Sequence, residues 1–171
     1  KVLGGYEPTT NRWRKIFQSS ISRDNLWVAS DEHEMLLAGQ ISPSLQQRIA
    51  RYHLVDNTRG EPPMWKTNEI ESLTMDVDAE GNISGRVRLE TQDGSRGYEA
   101  TLRGKLRSDG ERITEFELVC SGDFWGHGRF TPNPPKGKFP LAVAFTLADG
   151  SDVADVVPPQ GSRGWVDGYL R

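Results

Sequence analysis

Cysteine and histidine are both scarce in this chain of 171 residues. A single cysteine, Cys120, cannot form an intrachain disulfide, so a disulfide-stapled scaffold is excluded. No two of the three histidines, His33, His53 and His127, have the close spacing typical of zinc or iron ligands. We therefore expect neither a metal site nor a bound cofactor.

Long apolar runs and an excess of one charge are also missing. The longest continuous apolar run covers residues 141–145, far short of the ~20 residues that span a bilayer as a helix, so no transmembrane segment is expected. Lys and Arg total 21 and Asp and Glu total 24, for a net charge of -3, whereas a nucleic-acid-binding protein usually has a basic excess. With 35% hydrophobic and 26% charged residues, the composition favours a soluble folded domain over a disordered tail.

The chain opens at Lys1 and has no charged start followed by the apolar stretch of ~7 to 15 residues that marks a signal peptide. We interpret it as the remaining part of a longer precursor. Together with the turn-rich sheet predicted below, this favours an extracytoplasmic or secreted location, while a cytoplasmic one is left open.

Residues 1–40 are predicted to form a helical capping segment. Trp13, Ile16 and Phe17 recur at the spacing of one helix face, and Asp31 with Glu34 has the spacing of a capping box for a second short helix. A short strand is expected between these helices, over residues 26–29.

Residues 41–171 are predicted to form a single β-rich domain. Residues 50–55 alternate as a half-buried strand does, although a helix over 44–52 is a competing interpretation. From residue 69 onward, runs of period-two alternation are separated by short turns that contain glycine.

The turn lengths predict which residues face each other across the hairpins. A three-residue loop at 79–81 places Leu73 opposite Val87, and a two-residue turn at 93–94 places Leu89 opposite Tyr98. A three-residue loop at 108–110 would place Leu102 opposite Phe116 and Arg103 opposite Glu115. A fourth turn at 149–150 would place Phe145 opposite Ala154, and 165–170 is a last strand candidate.

These runs give about eight or nine strand candidates joined mostly by hairpins. The predicted fold class is therefore mainly β: an antiparallel up-and-down meander that closes into a barrel or half-barrel, with short N-terminal helices. The alternative is an α+β fold in which a curved sheet packs on the helices.

Two clusters of polar and aromatic residues are candidate ligand-binding sites. Arg51 and His53 fall on one side of the predicted strand, and Asp56 in the following loop could orient the imidazole. In the second cluster, Asp123, Trp125 and His127 lie at a strand end beside a loop rich in proline.

Four strand traversals separate the two clusters, and an even number places both at the same end of a meander. We therefore predict one combined polar site, with the Trp125 ring as its wall, His53 and His127 as its titratable groups and Tyr98 at its cavity.

The preferred function is that of a non-catalytic β-rich module, part of a longer precursor, that binds an unidentified small molecule or protein partner at one open end. One alternative is a small hydrolase-like enzyme that uses His127 or His53 with a nearby Asp. The sequence has no Gly-x-Ser-x-Gly elbow, no Cys-His pairing signature and no phosphate-cradling loop, which disfavours catalysis but leaves it open. The other alternative is a purely structural accessory domain.

Overall fold

An antiparallel sheet dominates the computed structural model, which describes residues 23–131, 133–151 and 153–171. Its strands follow one another in chain order, so the sheet is a meander. They are β1 (Ile70–Val77), β2 (Asn82–Glu90), β3 (Gly97–Ser108), β4 (Ile113–Trp125) and β5 (Phe139–Thr146).

The registers of the first two hairpins are confirmed. Leu73 pairs with Val87 across β1 and β2, and Leu89 pairs with Tyr98 across β2 and β3. The first loop needs Gly81, whose φ is 79° and whose Cβ would stand 2.4 Å from the carbonyl oxygen of Leu106. Apolar pairs on one face and the glycine in the loop therefore fix the same alignment.

The predicted register of the third hairpin is wrong by four residues. Leu102 pairs with Cys120 rather than Phe116, and Arg103 lies opposite Val119 rather than Glu115. The connection is longer than a three-residue loop, because the Asp109 amide donates to the carbonyl of Arg112 (3.1 Å) and a bulge interrupts the pairing. A shift of four leaves every side chain on its original face, so the buried set is unchanged.

The strands predicted after β5 are also wrong. A 3₁₀-helix, Val153–Val156, follows the turn at 149–150, and Val156 is 75% exposed. The Asp149 carboxylate accepts from the Ser151 amide (2.9 Å), which curls the chain locally instead of returning it along β5. Near the C-terminus, the predicted strand 165–170 is a short helix, Val166–Tyr169, named α3 here.

The sheet does not close into a barrel or half-barrel. Closure would require β1 and β5 to pair, but the described residues form a single open sheet with these strands at its two edges. Part of the β1 edge is already taken, because Gln46 Nε2 donates to the Met75 carbonyl (3.1 Å). Helices cover the inner face instead, which is close to the alternative of a curved sheet packed on helices.

Two helices precede the sheet and share its core. The predicted helix after residue 30 is confirmed as α1 (Ser30–Leu37), and the competing helical interpretation of 44–52 is confirmed as α2 (Pro43–Arg48) continued by a π-helix (Ile49–His53). The alternation over 50–55 was therefore a misleading signal of a strand. Core residues from these helices that pack with the sheet are Leu36, Leu45, Ile49 and Ala50.

Two other N-terminal predictions have different outcomes. The strand predicted over 26–29 is wrong, because residues 23–29 form an extended arm with neither helix nor strand. The helix predicted around Trp13 lies outside the described residues. Among the helices of the described ranges, none is long and apolar enough to cross a membrane.

Candidate functional site: a cleft beside the last strand

A cleft of about 1180 Å³ opens between the arm 23–29, helix α1 and the C-terminal part of the sheet. Four segments line it: the arm, the helices α1 and α2 with the π-helix, the start of β4, and β5 with the residues after it. Their cleft-facing members include Asp24, Leu26, Trp27, Leu36, Leu45, His53, Ile113, Phe116, Phe145 and Asp155. The cleft is large enough for a small organic molecule or a short peptide segment.

Polar contacts with the C-terminal segment hold the arm at the rim of the cleft. Arg23 donates to the Asp155 carboxylate (2.5 Å), and Asn25 Nδ2 donates to the Val157 carbonyl (2.7 Å). The Gln160 amide donates to Asp24 Oδ1 (2.8 Å). These contacts join residues more than 130 positions apart, so the rim exists only in the folded chain.

The base of the cleft is apolar. Leu36 and Leu45 are buried on the helix side, while Phe116 and Phe145 contribute aromatic rings from the sheet. Val143 and Phe145 pack only partly against the core, which leaves apolar surface facing the cleft. An apolar base with a few polar groups at its rim is the usual composition of a ligand site.

A buried polar relay, made of Asp24, His53 and Tyr169, lies along one wall of the cleft. His53 Nε2 lies 2.5 Å from the Tyr169 hydroxyl, and Nδ1 lies 3.4 Å from Asp24 Oδ2. The His53 ring also meets the Phe145 ring edge-on, with 6.0 Å between centroids. A π-helix carries His53, and such turns occur often at functional sites.

Burial sets the protonation of this relay. Desolvation, helped by the positive charge of Arg48, lowers the pKa of His53 to about 4, so the ring is neutral at pH 7. Desolvation also raises the pKa of Asp24, against the backbone hydrogen bonds from Gln160 and Asn25. Asp24 Oδ2 is buried and accepts no hydrogen bond among the described residues, so its 3.4 Å approach to His53 Nδ1 is a contact without a hydrogen bond.

A buried ion pair between Arg48 and Glu32 stabilises the elements that carry the relay. The Arg48 guanidinium donates to the Glu32 carboxylate, and also to the carbonyls of Tyr169 (2.8 Å) and Leu170 (2.9 Å). Burial alone would raise the pKa of Glu32, but the bonds from Arg48, the Ala29 amide and Ser44 outweigh it, so that pKa is lowered. Arg48 therefore links α1, α2 and the C-terminal helix α3 around the cleft.

Of the seven residues predicted to bind a ligand, only His53 lines this cleft. Arg51 donates to the Trp65 carbonyl (3.2 Å), and Asp56 is buried and accepts from Thr58 and Arg59. Both side chains are thus engaged in local structure beside the π-helix.

The other four predicted residues belong to the sheet and the loop after it. Tyr98 is buried, and its hydroxyl donates to the carbonyls of Cys120 (2.9 Å) and Leu141 (3.0 Å). Asp123 and His127 are exposed, and the half-buried Trp125 ring covers Gly97 while Nε1 donates to the Gly94 carbonyl (3.1 Å). No contact tests a ligand role for these residues, so that role stays a prediction.

Asp56 of the first cluster and Gly126, beside the second, lie close together, although the strand from which the traversals were counted is a π-helix. Arg59 fills the space between them, because its guanidinium donates to Asp56 (2.6 Å) and to the carbonyls of Thr131 (2.6 Å) and Gly126 (3.3 Å). The sequence predicts a cavity lined by Trp125 at this end, whereas the cleft described above lies along β5 and does not include Trp125.

Several residues of the cleft were missed by sequence reasoning. Asp24 lies in the arm and Asp155 in a short 3₁₀-helix, and their contacts with His53 and Arg23 span long chain separations that no local pattern reveals. One sequence feature does point to this cleft: the stretch 139–148 lacks any charged residue, although it follows a loop rich in proline. Among the described residues, no group of three or more His, Cys, Asp or Glu side chains is arranged to hold a metal ion.

Comparisons with known proteins add no assignment. The chain has no significant match among protein-family models, curated proteins or solved structures. Any functional conclusion therefore depends on the geometry of the cleft itself.

Proposed function

We propose that this protein is a non-catalytic binding module and that the cleft beside β5 is its binding site. The observation that carries the proposal is the cleft itself: about 1180 Å³ of space with an apolar base and a rim held by Arg23, Asp24 and Asn25. A concave space of this size with an apolar base is typical of ligand-binding sites, which favours this function over a purely structural one.

The protonation state of the relay favours binding over catalysis. A general base at neutral pH needs a pKa near 7, whereas that of His53 is about 4. Its Nε2 is already engaged by the Tyr169 hydroxyl rather than turned toward the cleft. The thiol of Cys120 is buried, and desolvation raises its pKa to about 12, so it is a poor nucleophile. The contact between His53 and Asp24 is thus the main observation that favours the alternative of a hydrolase.

The test is a thermal-shift screen of the full chain against metals, sugars, lipids, nucleotides and peptides. A compound present at about 100 times its Kd adds about 2.7 kcal/mol to the stability of the folded state. For a protein of this size, that corresponds to a rise in Tm of about 5 to 10 °C. We expect at least one class to produce it.

Two tryptophan variants show whether the effect depends on the cleft. Val143 is half-buried on the inner face of β5, so Val143→Trp should fill the cleft and abolish the rise in Tm. Val119 is 45% exposed on the opposite face of β4, so Val119→Trp should leave the rise intact. An equal rise in both variants, or no rise with any class, would contradict the proposal.

A further inference from the structure

We propose that the natural occupant of the cleft is an extended segment of a partner polypeptide, which joins the sheet as an added strand along the outer edge of β5. This inference rests on the proposed function and names the class of ligand. Three features carry it: the direction of the β5 amides, the absence of charge along the strand, and the shape of the cleft.

The first feature is the backbone of β5. Within the described ranges, β5 pairs with β4 alone. The Leu147 amide donates to the Phe116 carbonyl of the β4 side (2.9 Å), and amide directions alternate along a strand. The amides and carbonyls of Ala142, Ala144 and Thr146 therefore point away from β4, toward the cleft.

The lining of the cleft agrees with this orientation. Seven consecutive residues, 142–148, line it. Side chains on a strand alternate between its two faces, so a cleft above one face would meet only every second residue. Within β5 the run 142–146 is continuous, as expected where the edge of the strand, with its backbone groups, borders the space.

The second feature is that β5 has no charged side chain to protect it as an edge strand. Natural edges are commonly blocked by charged side chains, by bulges or by a covering element. At the opposite edge, β1 carries Glu71 and Asp76 and has Gln46 bonded to the Met75 carbonyl. Residues 139–148 have no charge. Proline also blocks an edge, and Pro140 lacks the N–H that would have pointed away from β4, so only the first residues of β5 are protected in this way.

The third feature specifies the partner. A strand placed beside β5 would direct every second side chain to the inner face, where Leu36, Leu45 and Phe145 supply apolar surface. On the outer face, Ala142 and Ala144 are small and allow close approach. At the rim, Arg23 and Asp155 pair with each other. The expected partner segment is extended, with apolar residues at alternate positions.

The experiment selects phage-displayed random peptides, about as long as the eight-residue β5, on the full chain. A selected peptide is then synthesised with single N-methyl groups at each position. We expect methylation to weaken binding at every second residue, since only alternate amides of an added strand bond to the edge. The loss at those positions should be about tenfold or more, with little change between them.

Protein variants test the same contact from the other side. Ala144→Pro removes one amide that faces the cleft while keeping the bonds to β4, so peptide affinity should fall about tenfold. Its matched control, Ala144→Ser, keeps both the amide and a small side chain, and should bind as the wild type does. Hydrogen exchange on the unmodified protein needs no variant: the Ala142, Ala144 and Thr146 amides should exchange fast in the free chain and slowly once the peptide is bound.

Each of the following outcomes would overturn the inference. Slow exchange of these three amides in the free, monomeric chain would mean that the chain's own residues 1–22 occupy the edge. Concentration-dependent dimers broken by Ala144→Pro would mean a second copy. If compounds raise the Tm of the wild type but not of Val143→Trp, while no selected peptide shows alternate sensitivity to methylation, the proposed binding site stands and the peptide inference fails. If neither compounds nor peptides depend on the cleft, both proposals fail.

Discussion

Arg48→Leu is expected to lower the free energy of unfolding by about 3 to 5 kcal/mol, because it leaves the buried Glu32 carboxylate without its countercharge. The variant also removes the donors to the Tyr169 and Leu170 carbonyls, which hold helix α3 beside the π-helix. Chemical denaturation of the full chain measures the loss. We expect this to be among the most damaging single changes outside the apolar core.

Two controls separate the buried charge from a general effect of losing arginine. Arg107 pairs with Glu115 at the surface and is 53% exposed, so Arg107→Leu should change the free energy of unfolding by less than about 1 kcal/mol. The double variant Glu32→Met with Arg48→Met should be more stable than Arg48→Leu, because no charge is left unpaired. If the double variant is less stable than the single one, the ion pair is not the cause of the loss.

Acid is expected to destabilise the fold between about pH 6.5 and pH 4, through His53. The unfolded chain protonates this ring near its ordinary pKa of 6.5, whereas burial lowers the folded-state pKa to about 4. Over that window the unfolded state binds more protons, so stability is full above pH 6.5 and falls as the pH drops. The shift corresponds to about 3 kcal/mol.

Asp24 acts in the opposite direction, since its folded-state pKa is raised and its protonation on acidification favours the folded chain. The measurement is the free energy of unfolding from pH 7.5 to 4, for the wild type and for two glutamine variants. His53→Gln should flatten the profile in this window, and the exposed His127→Gln should leave it unchanged. An equally steep profile in His53→Gln would show that another group is responsible.

Local chemistry predicted the first two hairpins well because two independent signals agreed there. The alternation of apolar residues determined which side chains share the buried face, and Gly81 with its positive φ determined the length of the loop. In the third hairpin only the faces were determined. The turn residues around Asp109 are compatible with a loop of three residues or a longer one. Because an even shift of register buries the same side chains, the apolar pattern does not distinguish between these loops.

The helical elements and the cleft were harder to predict for a different reason. Residues 49–53 form a π-helix although the sequence over 50–55 alternates as a strand does, and residues 166–169 form a helix too short to show a period. The cleft arises where the arm, β5 and the C-terminal segment meet. Its key contacts, such as His53 with Asp24 and with Tyr169, come from tertiary packing alone.

The most direct measurement of the central claim is a ¹H–¹⁵N NMR titration of the full chain with whichever compound or peptide raises its Tm. Binding in the cleft predicts that the largest shifts fall on the amides of residues 24–28 and 142–148, with Trp125 and His127 little changed. Shifts centred instead on the opposite cluster, around Asp56 and residues 123–127, would contradict the account and place the site between the two loops that Arg59 joins.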